Sequence, residues 1–154
     1  MQYLIIKVLK EDTAMLDDIY NTKIIELASD IVRLGRLDNP DTSATKVSRL
    51  CGSKVTVDIK IKNNVVIDFS HDVKACALGQ ASSSIMAKNI IGASKQELYE
   101  VSETMINMLK NNGPVPEGKW SELAFLEPVK DYKSRHSSTM LTFEAVNEAM
   151  NNIK

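Results

Sequence analysis

The stretch Val55-Thr-Val-Asp-Ile-Lys-Ile-Lys62 decides the fold, because apolar and polar side chains alternate in it without a fault. Strict alternation places the two sets of side chains on opposite faces of a β-strand. Asn63-Asn64 follows, and asparagine tolerates the positive φ that a two-residue hairpin turn requires. Val65-Val-Ile-Asp-Phe69 then returns as the partner strand. The sequence therefore predicts an antiparallel hairpin with one buried face.

A helix and an edge strand are predicted on the N-terminal side of the hairpin. Apolar residues recur at three- and four-residue spacing from about Met15 to Leu34, which predicts a helix. Residues 35–42 have the composition of a loop, and residues 43–49 are predicted to form a short edge strand. Residues 1–14 are expected to form a short strand or an extension ahead of the domain.

Strand parity suggests where Cys51 lies. If the hairpin strand extends back to Cys51, then Cys51 and Ser53 share the apolar face with Val55. Both side chains would then point inward at the end of the sheet.

Helical patterns dominate the chain after the hairpin. Cys76 precedes a segment rich in small residues, which is predicted to be a helix from Ala77 to Ile91. The positive end of the helix dipole would then favour the thiolate form of Cys76. Ser94 and Glu97 form a capping box that begins a helix reaching about Lys110.

The C-terminal part of the chain is predicted to be helical in two places. Residues 120–126 form a short helix that Pro128 ends, and residues 129–137 are irregular. The last helix runs from about Phe143 to Asn151, with Thr142 as its N-cap. This order of elements predicts an α+β fold, in which about five helices pack on one side of a small antiparallel sheet. Residues 15–154 are expected to form a single domain.

The composition excludes several classes of protein. The chain has 154 residues, of which 44% are apolar and 25% charged, and its formal net charge is −1. Because there is no basic excess and aromatic residues make up only 5%, no nucleic-acid partner is expected. No apolar stretch approaches the roughly 20 residues that span a bilayer, so no membrane partner is expected either. We expect a cytoplasmic protein whose cysteines stay reduced.

Cys51 and Cys76 form a candidate metal-binding pair. The hairpin returns the chain to the end of the sheet where it began, so the two thiols are predicted to meet. Such a pair can bind zinc or iron, but two thiolates do not close a tetrahedral site. From the residues alone the other ligands stay open between His71, Asp72, His136, water and a second chain. The simpler alternative is two partly buried cysteines without a metal.

At these residues the chain resembles the IscU/SufU/NifU N-terminal family of iron–sulfur cluster assembly scaffolds. The resemblance covers roughly residues 15–151. It rests on Gly35-Arg-Leu-Asp-Asn-Pro40, on Cys51-Gly52 before the long strand, and on Cys76-Ala-Leu-Gly-Gln-Ala-Ser-Ser-Ser-Ile-Met86. The last motif, a cysteine leading a helix of small residues, is the most specific. The resemblance implies a SufE/NifU-like α+β fold.

The resemblance also implies a ligand site, from which this chain departs. In the family, three cysteines and an aspartate hold zinc or a nascent [2Fe–2S] cluster. Two of the cysteines correspond to Cys51 and Cys76, whereas Ser53 stands at the aspartate position and Ser138 at that of the third cysteine. Exchanging a thiolate and a carboxylate for two neutral hydroxyls should lower the affinity for a divalent cation.

By this resemblance the chain is expected to be an iron–sulfur cluster assembly scaffold or carrier, and not an enzyme. It would receive sulfur from a cysteine desulfurase and pass iron or a [2Fe–2S] cluster to recipient or carrier proteins. Three outcomes stay open: His136 joins as a substitute ligand, a homodimer bridges a cluster with two cysteine pairs, or the chain is a metal-free sulfur acceptor or adaptor of the desulfurase. Asp72, Lys74 and Arg135 are expected to surround the ligands.

Overall fold

The computed structural model of the protein describes residues 20–153. Its elements in chain order are α1 (Thr22–Ser29), β1 (Thr42–Ser48), β2 (Ser53–Lys62), β3 (Val65–Lys74), α2 (Ala77–Asn89), α3 (Lys95–Lys110), two 3₁₀ segments (Gly118–Asp131 and Lys133–Arg135) and α4 (His136–Asn151). The predicted α+β class is confirmed. The prediction for residues 1–14 lies outside the described residues. No helix between residues 20 and 153 is long and apolar enough to cross a membrane.

The sheet has three antiparallel strands in the order β1-β2-β3. The predicted hairpin is confirmed: Asn63 and Asn64 have φ angles of 54° and 66°, which matches a turn with two positive φ values. Val55, Val57 and Ile59 are fully buried on the face covered by helices. The edge strand predicted at residues 43–49 is confirmed as β1.

Helix α4 is the central helix of the molecule. It packs against β1 and β2 on one side and against α2 and α3 on the other. Its Phe143 is 1% exposed and Ala145 is completely buried. The ends of β1, α2 and α4 are thereby held next to one another.

The first helix is shorter than its apolar pattern predicts. It begins after Asn21, whose Oδ1 accepts a hydrogen bond from the Ile24 amide at 3.0 Å, and it ends at Ser29 rather than near Leu34. The chain after Ser29 pairs with β3 instead, since the His71 amide donates to the Arg33 carbonyl at 3.1 Å. These backbone bonds replace the last turns of the predicted helix. The part of the prediction before residue 20 lies outside the described residues.

The last helix is longer than predicted, because it begins at His136 and not near Phe143. The prediction took the Ser/Thr-rich segment as irregular. In the structure Ser138 Oγ and Thr139 Oγ1 donate to the Arg135 carbonyl at 3.2 and 2.8 Å, which lets these hydroxyls lie within a helix. Thr142 is therefore an interior helical residue and not an N-cap.

The short helix predicted at residues 120–126 is a longer 3₁₀ segment. It runs from Gly118 to Asp131 and contains Pro128, which does not end it. Its last turn closes with a bond from the Tyr132 amide to the Val129 carbonyl at 2.9 Å, which is the i to i+3 spacing of a 3₁₀ turn. This segment leads the chain directly to the N-terminus of α4.

Candidate functional site

Cys51 lies in the turn between β1 and β2, and not on the strand. The strand begins at Ser53, so the predicted extension back to Cys51 is wrong, and Cys51 is exposed. Gly52 has a φ of +68°, a conformation that turns the chain and that other residues rarely adopt. Ser53 is 2% exposed and points inward as predicted. The turn therefore presents the thiol at the surface, directly beside a buried hydroxyl.

Cys76 is the N-cap residue of α2 and is partly buried. Its side chain makes no capping hydrogen bond to the first turn of the helix. The predicted start of this helix at Ala77 is confirmed. The thiol is thus placed at the positive end of the helix and is left to contact other elements.

Hydroxyl groups surround both thiols. Four serines supply these hydroxyls, and we call them the serine cluster: Ser48, Ser53, Ser137 and Ser138. Cys51 Sγ lies 3.0 Å from Ser53 Oγ, and its thiol donates to Ser48 Oγ at 3.4 Å. Cys76 donates to Ser138 Oγ at 3.4 Å, and Ser138 is also near enough to Cys51 to help lower the pKa of its thiol. Ser138 therefore lies near both cysteines.

A close contact between α2 and α4 holds Ser138 in this place. Gly79 in the first turn of α2 faces the backbone of α4. A Cβ added to Gly79 would lie 2.7 Å from Ala75 Cβ and 3.1 Å from the Ser138 carbonyl oxygen. Only a residue without a side chain allows this approach, so Gly79 fixes the distance between Cys76 and Ser138.

The serine cluster changes the acidity of one thiol. Hydrogen bonds from Ser48 and then Ser53 lower the pKa of Cys51, and Ser138 adds a smaller contribution, while burial opposes the shift. A lower pKa raises the thiolate fraction near neutral pH. Thiolate is the form that binds metal ions and attacks sulfur.

A family model described as the NifU-like N terminal domain matches residues 19–139, which is most of the chain. The chain belongs to this family. The matched range contains the whole three-stranded sheet, Cys51, Cys76 and Ser138, so the NifU-like assignment covers all the residues of the site.

Relatives and solved structures agree with the NifU-like assignment. The iron–sulfur cluster assembly scaffold protein IscU of Thermotoga maritima is 26% identical over 134 residues, covering 87% of this chain and 94% of that protein. The crystal structure of the N-terminal part of a nitrogen-fixing NifU-like protein from Brucella abortus is 55% identical, with a TM-score of 0.88 over 90% of this chain and 96% of that one. A putative scaffold protein for the SUF system from Fervidobacterium islandicum is 24% identical with a TM-score of 0.80, over 87% of this chain and 98% of that one, and supports the fold.

In this NifU-like chain the ring of His136, predicted as a supplementary ligand, is bonded to two backbone carbonyls. It is 8% exposed, and its Nε2 lies 3.0 Å from the Val129 carbonyl oxygen and 3.2 Å from that of Lys130. Carbonyl oxygens only accept hydrogen bonds, so Nε2 carries the proton and Nδ1 holds the lone pair of the neutral ring. Coordination by His136 in this arrangement would therefore use Nδ1.

The other predicted neighbours also lie apart from the thiols. Asp72 and Lys74 are exposed on β3 and pair with Thr56 and Lys54, whose side chains lie on the opposite sheet face from Ser53. Arg135 joins the site through its carbonyl, which accepts from Ser138.

His71, an open alternative as ligand, is completely buried in the core, and its Nε2 is bonded to the Val32 carbonyl at 2.9 Å. Between residues 20 and 153 no three His, Cys, Asp or Glu side chains are grouped to hold a metal ion.

Ser48 and Gly79 are parts of the site that sequence reasoning missed. Ser48 pairs with Ser53 across β1 and β2, so it lies directly opposite a residue that the resemblance had already marked. Pairing the edge strand with the hairpin would have found it. Gly79 gives no such signal, because its contact depends on where α4 begins.

Proposed function

We propose that this chain is an iron–sulfur cluster assembly scaffold or carrier that holds iron or a [2Fe–2S] cluster through Cys51 and Cys76. The observation that carries the proposal is the position of Ser138 near both thiols in a chain of the NifU-like family. Relatives named as scaffold proteins support it. In this proposal iron and sulfide are cargo, the chain is not an enzyme, and its partners are a cysteine desulfurase and recipient or carrier proteins.

One chain supplies part of the coordination. Two thiolates suit iron or zinc, but a [2Fe–2S] cluster takes four thiolates. Ser53 and Ser138 occupy the other two family positions, and their neutral hydroxyls are weak ligands. The remaining ligands therefore come from outside this set. A second copy of the chain would provide a second cysteine pair.

Anaerobic reconstitution tests the proposal. The protein is mixed with ferrous iron, L-cysteine and a cysteine desulfurase, and visible absorption and iron content are measured after removal of small molecules. We expect charge-transfer absorption from the wild type and its loss in Cys51→Ser and in Cys76→Ser. Ser121→Ala, at an exposed position far from the cysteines in sequence, is the control and should match the wild type. A wild type that retains no iron and no colour would contradict the scaffold role.

A second candidate function is that of a metal-free sulfur acceptor or adaptor for the desulfurase. The helix dipole favoured the thiolate of Cys76 in the sequence analysis, which would make Cys76 the acceptor, but the exposure and lowered pKa of Cys51 favour Cys51 instead. The Cys51 thiolate would attack the outer sulfur of a persulfide on the desulfurase. The S–S bond of that persulfide breaks, the desulfurase cysteine leaves as a thiolate, and a persulfide forms on Cys51.

Mass spectrometry separates the two functions. As a pure acceptor, the wild type gains one sulfur on the Cys51 peptide in the absence of iron, and Cys76→Ser keeps this gain. In the cluster function both cysteines are required for a stable product that contains iron. Sulfur found only on Cys76 would contradict the assignment of the acceptor to Cys51.

A further inference from the structure

A cavity next to the serine cluster has no role in the proposed site. It has a volume of about 560 Å³ and lies between α3, the 3₁₀ segments and the start of α4. We call it the lysine groove, and six of the residues that line it are Lys110, Lys130, Lys133, Ile106, Ser137 and Met140. Its size is within the range of pockets that hold small organic molecules.

The charge of the lysine groove favours an anion with an apolar part. Three lysines face a single carboxylate, Glu144. Among the described residues Lys110 and Lys133 form no salt bridge, and Lys130 Nζ has only a loose, partly exposed contact with Glu127 Oε1 at 3.5 Å. Lys110 also interacts electrostatically with Glu144, but three lysines against this one carboxylate leave the groove with an excess of positive charge. Carboxylates suit these cations, and Glu144 leaves a place for one ammonium group.

The lysine groove borders the thiols through Ser137. This residue lines the groove, and its Oγ lies 2.9 Å from Ser48 Oγ. Ser48 in turn accepts from the Cys51 thiol at 3.4 Å. The hydroxyls of Ser137 and Ser48 thus separate the groove from the Cys51 thiol, and a molecule bound on the lysines would extend past them to reach a metal held there.

We propose that the lysine groove binds a low-molecular-weight thiol that carries carboxylates, and that the sulfur of this molecule adds a third thiolate to those of Cys51 and Cys76. This inference rests on the proposed function. The incoming thiol loses its proton to solvent, and its sulfur forms a bond to iron as a bound water leaves, so no oxidation or reduction is needed. Lys130 and Lys133 are binding residues in this arrangement, and Ser137 lies between the groove and the Cys51 thiol.

Binding to the iron-free protein tests the groove separately from the cluster. Reduced glutathione, which has two carboxylates, one ammonium group and a thiol, is titrated into the protein under calorimetry or NMR. We expect saturable binding that weakens by about tenfold or more in K130Q/K133Q, because two charge-assisted contacts are lost. The matched control K60Q/K62Q removes two lysines of β2 that do not line the groove and should bind like the wild type. Equal affinity in K130Q/K133Q and wild type would overturn the inference.

A second arm separates failure of the groove from failure of the scaffold. S-methylglutathione should bind the groove as glutathione does, yet it should not support retention of a cluster. The variant C51S/C76S should still bind glutathione while losing the cluster. If the wild type holds a cluster with dithiothreitol but does not bind glutathione at millimolar concentration, the scaffold proposal stands and the groove proposal is wrong. A cluster held by two chains without any added thiol would likewise contradict the groove proposal.

Discussion

Cys51 shows how neutral side chains can prepare a thiol for chemistry. Ser48 and Ser53 hold hydroxyls at 3.4 and 3.0 Å from its sulfur, and these hydroxyls stabilise the thiolate without bringing a charge to the site. Sequence reasoning foresaw that Ser53 is buried near Cys51. It did not foresee that the thiol is exposed, because a four-residue turn carries no periodic pattern from which its direction could be deduced.

The lowered pKa of Cys51 predicts a shift in its reactivity with pH. In Ser48→Ala and Ser53→Ala one hydrogen bond to the thiolate is lost, so the pKa rises and less thiolate is present at neutral pH. Alkylation of Cys51 by iodoacetamide can be followed on the Cys51 peptide by mass spectrometry. The pH at which its rate begins to rise should therefore be higher in both variants than in the wild type. Ser121→Ala should leave the profile unchanged. Superimposable profiles for all four proteins would show that the hydroxyls do not set this pKa.

Restoring a missing ligand should strengthen metal binding. Ser138→Cys places a third thiol near Cys51 and Cys76 at a position that is 1% exposed, with little change in volume. We expect zinc affinity to rise by more than about tenfold, since even changes around a ligand act on this scale. Competition with a chromophoric chelator measures it. Ser83→Cys, buried elsewhere in α2, is the control for the mere addition of a thiol. No gain over that control would contradict the assignment of Ser138 to a ligand position.

Elements rather than single residues set the distance between the two halves of the site. The hairpin could be predicted because its alternation, its turn and its buried face all agree. The last helix could not be placed, because serine and threonine in its first turn are typical of loops unless they bond back to the preceding carbonyl. The position of Ser138 depends on that helix, so its contact with Cys76 was out of reach of the sequence pattern.

The contact between α2 and α4 predicts an unusual sign for a glycine replacement. Gly79→Ala in a helix should ordinarily stabilise by about 0.5–1 kcal/mol. Here the new Cβ meets Ala75 and the Ser138 carbonyl, so we expect a loss of about 1–3 kcal/mol in the free energy of unfolding. Urea denaturation measures it. Gly113→Ala, which is outside the helices and lies close to Asn107, is a control for crowding away from the site. A stabilised Gly79→Ala protein would show that the two helices do not depend on this contact.

The loop before β1 is attached to the sheet by a buried carboxylate. Asp58 is 1% exposed and accepts from Arg36 Nε at 2.7 Å, Ser43 Oγ at 2.6 Å and the Leu37 amide at 3.0 Å. Burial alone would raise the pKa of Asp58, but the hydrogen bonds from these groups outweigh it and hold the pKa below its usual range. A depressed pKa stabilises the fold above the unfolded value of about 3.9, and this stabilisation is lost as the pH falls through the folded value.

Asp58→Asn should therefore destabilise the protein at neutral pH and not in acid. We expect a loss of about 1.5–3 kcal/mol at pH 7, the scale of hydrogen bonds to a charged group. The difference from the wild type should shrink as the pH falls below about 4. Asp68→Asn is the matched control, because its pair with Arg33 at 3.4 Å is exposed and should contribute less than about 1 kcal/mol. Urea unfolding at a series of pH values distinguishes them; a difference that does not vary with pH would contradict the role of the charge.

The whole molecule brings three distant parts of the chain to one end. The β1–β2 turn carries Cys51, the start of α2 carries Cys76, and the start of α4 carries Ser138, with the lysine groove alongside. The resemblance alone marked these three residues as one site, and the fold supports their meeting. The resemblance could not reveal the lysine groove. The walls of the groove come from α3, α4 and the 3₁₀ segments, and no local sequence pattern predicts how these elements pack.

Cobalt(II) binding in thiol-free buffer tests most directly whether Cys51 and Cys76 form one site. The thiolate-to-cobalt charge-transfer band reports how many thiolates hold the metal. We predict a band in the wild type and its near-complete loss in both Cys51→Ser and Cys76→Ser, because one remaining thiolate does not retain the ion. If each single variant instead kept about half of the band, the cysteines would bind independently, and the proposed shared site would be wrong.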